Sequence, residues 1–300
     1  VYKATVYGVV VAVKALSNMA GVSVKKQASE ERQFVAEMKL LMDVSHPNIC
    51  RLLGVSTDGP KRCLVLEMCP AGALHGVLKA DRAKLAAGQV PALGWWKRVQ
   101  VAVAIARALV HLHSQSPPMI HRDVKTQNVL LTTTACEDMT AATKVADFGT
   151  VREDVRGKVS SKLTSGTGNE KSHGTTSHVI GTRPYMPTEY TLHGRVSEKT
   201  DAFSYGVILL ELLTNEKPYD ARWAFVEDCE DTLEKAVMEH EGTFALRWPA
   251  EALTALAGVA GRCCLVHRQR TTIAAELPAL ERLCASVPQM HDPYASLGQQ

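Results

Sequence analysis

Apolar and polar positions divide the chain into a short strand-like part and a longer helix-like one. Within residues 1–16, Val9-Val10-Val11-Ala12-Val13 is a β-branched apolar run closed by Lys14, the pattern of a strand. From Ser29 to Val44 the period changes. Phe34, Met38, Leu41 and Met42 recur at helical spacing, with Ser29 as the expected N-cap and acids behind it. His46-Pro47-Asn48 ends that helix, because the residue before a proline is pushed out of the helical region. Two apolar runs of strand length follow, Ile49–Val55 and Cys63–Met68. Beyond Pro70 the pattern becomes helical, with long periodic segments over Trp95–His113 and Asp201–Leu213 and another helical stretch over 251–286. Between Gly149 and Ile180 the chain is rich in Ser, Thr, Gly, Lys and His without apolar periodicity, which predicts a long mobile loop. Pro288 and Pro293 mark an expected frayed tail. No internal repeat is visible. A small strand-rich lobe and a larger helical lobe follow from this order, with a hinge near Glu67–Gly72.

Composition narrows the class. Three hundred residues, 46% of them hydrophobic, can bury a sizeable core in one large domain or two lobes. The net charge is only +3 and no long basic run stands out, so nucleic acid is not an expected partner. The eight cysteines are scattered without a Cys-x-x-Cys pair, which argues for reduced thiols rather than a disulfide framework or a zinc site. Val99–Leu112 and Val207–Leu213 are too short or interrupted to span a membrane, Arg107 sitting inside the first. The expected setting is cytoplasmic, as a stand-alone protein or as the intracellular part of a receptor.

The chemistry concentrates in a few places. Val11-Ala12-Val13-Lys14 ends an apolar run on a lysine, a flexible point charge, and Glu37 is one of the acids on the helix that follows. His121-Arg122-Asp123-Val124-Lys125-Thr126-Gln127-Asn128 packs an acid, a lysine and an amide into one turn-sized segment before the apolar run Val129-Leu130-Leu131. Asp147-Phe148-Gly149 follows.

These motifs resemble those of eukaryotic protein kinases over nearly the whole chain. The resemblance implies an α+β, bilobal protein-kinase fold: an N-lobe over 1–69, a C-lobe over 70–287 and a tail over 288–300. Val1-Tyr2-Lys3-Ala4 resembles the sequence directly after the family's Gly-rich loop, so Val1 would be its closing valine and the chain would start just beyond the last glycine. The resemblance also implies a site. Asp123, Lys125 and Asn128 would be catalytic, Asp123 taking or orienting the substrate hydroxyl proton and Lys125 steadying the transferred phosphoryl group. ATP would be contacted by Val1, Ala12, Lys14, Glu37, Leu66, Glu67, Cys69, Leu130 and Asp147, and Mg2+ would be held by Asn128 and Asp147. Leu66 would guard the rear of the adenine pocket, with backbone groups of Glu67, Met68 and Cys69 meeting the base. Cys69 itself would be a small hydrophobe.

Lys125 and Gly181-Thr182-Arg183-Pro184-Tyr185-Met186 resemble serine/threonine rather than tyrosine kinases, Thr182 bonding near Asp123 and Lys125. Gly72, Trp95, the run Thr200-Asp201-Ala202-Phe203-Ser204-Tyr205-Gly206 and the segment at Arg270 point to the tyrosine-kinase-like group. Pro187-Thr188-Glu189 stands where the family has Ala-Pro-Glu, and Glu189 would pair with Arg270. Asp201 would brace the backbone of the catalytic loop. Leu41, Leu52, His121 and Phe148 would pack as a column through both lobes, His121 as a core residue rather than a base. Arg122 would be an unpaired cation awaiting a phosphate, with Ser160, Ser161, Thr164, Ser172, Thr175, Thr176 and Ser177 as acceptors and the last three favoured. The expected partners are a protein substrate with a Ser or Thr acceptor and an upstream activating kinase. A scaffold using the fold without catalysis is the alternative, and a small-molecule phosphotransferase of related fold is a third reading.

Overall fold

The computed structural model describes residues 1–16, 24–58, 61–153, 174–175, 179–217 and 235–287. Its first lobe is a four-stranded antiparallel sheet with one helix. β1 (Tyr2–Val6), β2 (Val9–Ala15), β3 (Leu52–Ser56) and β4 (Cys63–Glu67) lie in the order β1-β2-β4-β3. The register puts Ala12 opposite Leu66 and Lys14 opposite Leu64, so the lysine leaves the sheet beside its central strand.

α1 spans Val24–Asp43 and therefore starts before the expected N-cap, leaving Ser29 inside the helix. Lys25, Lys26, Gln27 and Ala28 are all good helix formers and nothing in them stops the helix at Ser29. Phe34, Glu37, Leu40, Leu41 and Val44 are buried, whereas Met42 is exposed. At about 100° per residue Met42 falls outside the arc that those residues share, although it continues the apolar run. Ile49 and Cys50 also depart from expectation. They lie outside the sheet: Cys50 N–H bonds the Val145 carbonyl, Val145 N–H bonds the Asn48 carbonyl, and Ile49 bridges Val145. The segment after the proline thus ties the first lobe to the second.

The second lobe is helical. α2 covers Leu74–Ala86 and α3 covers Trp95–His113, the latter with the bounds its periodicity predicts. α3 is buried almost all round, as a helix at the centre of a lobe must be. Lys97, Arg98 and His113 are its buried polar side chains. Lys97 donates to the Thr134 carbonyl, and Arg98, fully buried, is absorbed by Asp81, Asn215 and the carbonyls of Leu93 and Leu212. The strands β5 (Gly72–Ala73), β6 (Met119–Ile120), β7 (Val129–Leu131), β8 (Thr143–Val145) and β9 (Arg152–Glu153) follow, with β5-β7-β8 as one small sheet. α4 (Met139–Ala142) precedes β8. β10 (Gly174–Thr175) and β11 (Arg195–Val196) pair, and α5 (Thr188–His193) lies before β11.

α6 runs Glu198–Thr214 through the middle of this lobe and is buried along nearly its whole length. Ser197 and Thr200 close its N-terminus reciprocally, side chain to backbone, which satisfies donors that would otherwise be buried unpaired. The helical stretch expected over 251–286 is two helices, Ala250–Cys264 and Ile273–Ser286. The break between them carries Arg270 inward, where it meets Glu189 at 2.5 Å and lies 4.9 Å from the Phe203 ring. No helix among the described residues is long and apolar enough to cross a membrane.

Candidate active site

Three elements from different parts of the chain converge on Lys14. β2 presents the lysine, α1 presents Glu37 and the Asp147-Phe148-Gly149 turn presents Asp147. Lys14 Nζ lies 2.7 Å from both Glu37 Oε2 and Asp147 Oδ1. Burial pulls the Lys14 ammonium down, but the two carboxylates outweigh it and its pKa stands above the ordinary value. Burial likewise opposes charge on Asp147, and Lys14 chiefly, with His121 and Lys125, holds its carboxyl below the usual range. Glu37 is pushed up by burial against the pull of Lys14.

The second cluster forms on the loop between β6 and β7. Lys125 Nζ donates to Asp123 Oδ2 at 2.7 Å and to Thr182 Oγ1 at 2.9 Å, and Thr182 Oγ1 donates to Asp123 Oδ1 at 3.0 Å. Asn128 Nδ2 donates to the Asp123 carbonyl at 2.9 Å and to Oδ2 at 3.2 Å. Asp123 is thereby held from three sides by groups that donate to its carboxylate. Below it, fully buried Asp201 accepts from His121 N, Arg122 N and His113 Nε2, each at 2.8 Å. These bonds fix a backbone that needs fixing: Arg122 has φ +68°, a region that costs a non-glycine residue on the order of 1–3 kcal/mol.

The residues expected at the nucleotide are placed as follows. Ala12 and Leu66 pair across β2 and β4, and Leu130 on β7 pairs with Ala73 beyond the hinge. Glu67 takes the Arg51 N–H on its side chain at 2.7 Å. Val1 stands 80% exposed ahead of β1. Cys69 is buried, and the Cys50 thiol bonded to it holds its pKa below the ordinary value against the effect of burial.

His121 is fully buried, its Nε2 3.2 Å from the Ala146 carbonyl and its ring 5.1 Å from that of Phe148. Leu41 is buried in the same core and Leu52 packs against it. Arg122 requires a correction. Its guanidinium is not unpaired: Nε donates to the Thr150 carbonyl at 2.6 Å and the group also bonds the Tyr190 hydroxyl. Burial lowers its pKa, and among the described residues it has no carboxylate in ion-pair contact. Ser160, Ser161, Thr164, Ser172, Thr176, Ser177 and the 288–300 tail lie outside the described residues, and Thr175 falls in β10.

Family comparison settles what this geometry belongs to. The protein kinase domain family matches residues 1–277. The chain belongs to the protein kinase domain family. It is 33% identical over 275 residues to PTI1-like tyrosine-protein kinase 1 of Arabidopsis thaliana, covering 88% of this chain and 68% of that protein. PTI1-like tyrosine-protein kinase 3 of the same plant is 31% identical over 291 residues, 93% of this chain and 64% of that protein. The receptor-like serine/threonine-protein kinase ALE2, also from that plant, is 35% identical over 214 residues, 71% of this chain and 24% of that protein. This chain thus spans about two thirds of the PTI1-like relatives and a quarter of the receptor-like one. The sheet lobe and helical lobe are the two lobes of the kinase fold.

Kinase domains use ATP with a divalent metal, and the donors here suit such an ion. Asn128 directs its Nδ2 to Asp123, which leaves the amide oxygen for a cation. Asp147, whose side chain is 48% exposed, bonds Lys14 through Oδ1 and keeps a second oxygen.

One residue escaped sequence reasoning. Glu211, buried in α6, accepts from the Tyr185 hydroxyl at 2.6 Å and from Thr126 Oγ1 at 3.2 Å, joining the catalytic loop to the 181–186 loop. The signal was present: an acid inside the apolar run Val207–Leu213 is seldom buried without a task. Burial pushes its pKa up to about 7, against the bonds from Tyr185 and Thr126. The folded state then keeps a proton that the unfolded chain releases near 4.5, so stability falls as pH rises through that interval. The full effect is roughly 3 kcal/mol. Glu211→Gln, which retains an acceptor oxygen, should flatten this slope in urea unfolding measured from pH 5 to 8. An unchanged slope would assign the titration elsewhere.

Proposed function

We propose that the chain is a protein serine/threonine kinase that transfers the γ-phosphoryl group of Mg-ATP to a hydroxyl on a protein substrate. The observation that carries this reading is the closed triangle of Asp123, Lys125 and Thr182. An acceptor hydroxyl entering beside Thr182 would donate its proton to Asp123, while Lys125 would offset charge on the moving phosphoryl oxygens. Lys14, anchored by Glu37, would hold the non-transferred phosphates. Mg2+, when bound by Asn128 and Asp147, would neutralise phosphate charge and align the chain. A lysine two residues after the aspartate, bridged to a threonine of the facing loop, supports Ser and Thr over Tyr. Among the relatives the printed names include both tyrosine and serine/threonine kinases, so acceptor type is a point for experiment.

Regulation fits the same geometry. An incoming phosphate at Thr175, Thr176 or Ser177 could displace the neutral partners of Arg122, Thr150 and Tyr190, with a charge-assisted bond that is about twice as strong as a neutral one. An upstream kinase would be the source of that phosphate.

The test is incubation with Mg-ATP labelled at the γ-position and a generic protein substrate, followed by phosphoamino-acid analysis, alongside Lys14→Met. The expected result is phosphoserine and phosphothreonine that disappear in the variant. Nucleotide binding without transfer would overturn the enzymatic reading in favour of a scaffold.

A further inference from the structure

A cleft beside the catalytic loop is lined by basic groups that the reaction itself does not use. His75, Leu78, Lys79 and Arg82 recur at helical spacing on α2, and with Lys217 and the edge of Glu211 they surround the cleft. Its position is set by two contacts. Gln127, lying between Lys125 and Asn128, brings Nε2 to 3.4 Å from His75 Nδ1. Glu211, at the floor, is bonded to Thr126 and Tyr185, so floor and catalytic loop are one hydrogen-bonded unit.

The charges around this cleft do not cancel. Lys79 and Lys217 are exposed, and neither forms an ion pair among the described residues. Arg82 donates to the Asn215 carbonyl and lies 3.7 Å from Glu216, a loose pair. Its Nε is buried without a hydrogen bond. Glu211 sits among these cations, but burial keeps much of its charge suppressed near neutral pH. What remains is a positive rim within reach of an extended segment whose hydroxyl lies at Asp123.

We propose that this cleft selects protein substrates bearing anionic side chains, carboxylate or phosphorylated, within a few residues of the acceptor hydroxyl. The inference rests on the phosphotransferase reading and names the substrate class of the same site. Exposed pairs of this kind are weak singly, so two lysines acting together are expected to give a preference on the order of tenfold in kcat/KM, expressed mainly in KM and reduced by salt.

The experiment compares acceptor peptides identical except for flanking Asp, phosphoserine, Ala or Lys, scanned over the positions on each side, together with a generic protein substrate. Preference for Asp flanks assigns the cleft to acidic substrates, and preference for phosphoserine flanks alone assigns it to substrates already phosphorylated. Either supports the proposal if the Lys79→Glu/Lys217→Glu double variant moves the preference toward Lys flanks and Lys79→Ala/Lys217→Ala merely levels it. Melting curves of both variants report their folding independently. Equal kcat/KM for all flanks, or an anionic preference untouched by either double variant, overturns the proposal while leaving the kinase reading intact. Failure to label any peptide or the generic protein overturns the parent reading and this one with it.

Discussion

Asp123→Asn is expected to lower kcat by about 10²–10⁴-fold, the usual worth of a positioned proton acceptor, with much smaller change in the KM for ATP. The substitution changes almost no volume but reverses the logic of the site. Asp123 presents Oδ2 to Lys125 Nζ and Asn128 Nδ2, and Oδ1 to Thr182. An amide can offer only one of those two acceptors and sets an N–H2 group against a donor at the other. It also cannot take the acceptor's proton. Initial rates of labelled-phosphate transfer, with thermal melting as the control for folding, decide the matter. A variant that retains transfer within threefold of the parent would remove Asp123 from the role assigned here.

Asp201→Ala is expected to cost about 3–5 kcal/mol of stability, and activity with it. Asp201 is fully buried and accepts three bonds, so truncation leaves two backbone N–H groups and His113 without their acceptor. The residues whose backbone it holds are His121 and Arg122, directly ahead of Asp123, and Arg122 is in the left-handed region. Loss of the brace should let that turn relax and misplace the Asp123 carboxylate.

The pH dependence follows from the sign of the shift. Burial opposes charge on Asp201, but the bond from His113 leads the effects that depress its pKa below 3.8. The unfolded chain therefore takes up the proton first on acidification. Its stabilising contribution is present above the ordinary carboxylate range and is lost as the pH falls through the depressed folded value. Urea unfolding at neutral pH measures the first effect, and acid unfolding of Asp201→Asn the second. By contrast, breaking the half-exposed Arg107–Glu281 pair should change little, because surface pairs contribute about 0–1 kcal/mol. If Asp201→Ala cost no more than a surface pair, the bracing role would be wrong.

Sequence and tertiary structure divide the explanation along a physical line. Periodicity located the elements whose signal is local: α3 begins at Trp95 and ends at His113 as its apolar repeat requires, and the strand that carries Lys14 lies where β-branched residues cluster. The motifs named the candidate site residues, and the structure brings Lys14 together with Glu37 and Asp147, and Asp123 with Lys125, Asn128 and Thr182. Failures came where the deciding contact was remote. The early start of α1 is the local exception, because good helix formers precede a serine that could otherwise have capped it. Met42 continues an apolar run and still faces solvent, since the elements packed on α1, β3 among them, define which arc of the helix is covered.

What the sequence by itself determined, then, is the family resemblance, the order of strands and helices, and the residue types available for phosphoryl transfer, all set by local periodicity and motif spacing. Only the tertiary structure decided which of those residues meet. It gave Arg122 a carbonyl and a tyrosine as neighbours, set His113 under Asp201, joined Glu211 to Thr126 and Tyr185, and gathered the basic rim from α2 and Lys217. Each of these depends on bringing together chain segments far apart in sequence. Burial then sets the charge states, since a carboxyl such as Glu211 titrates according to the surroundings that folding builds around it.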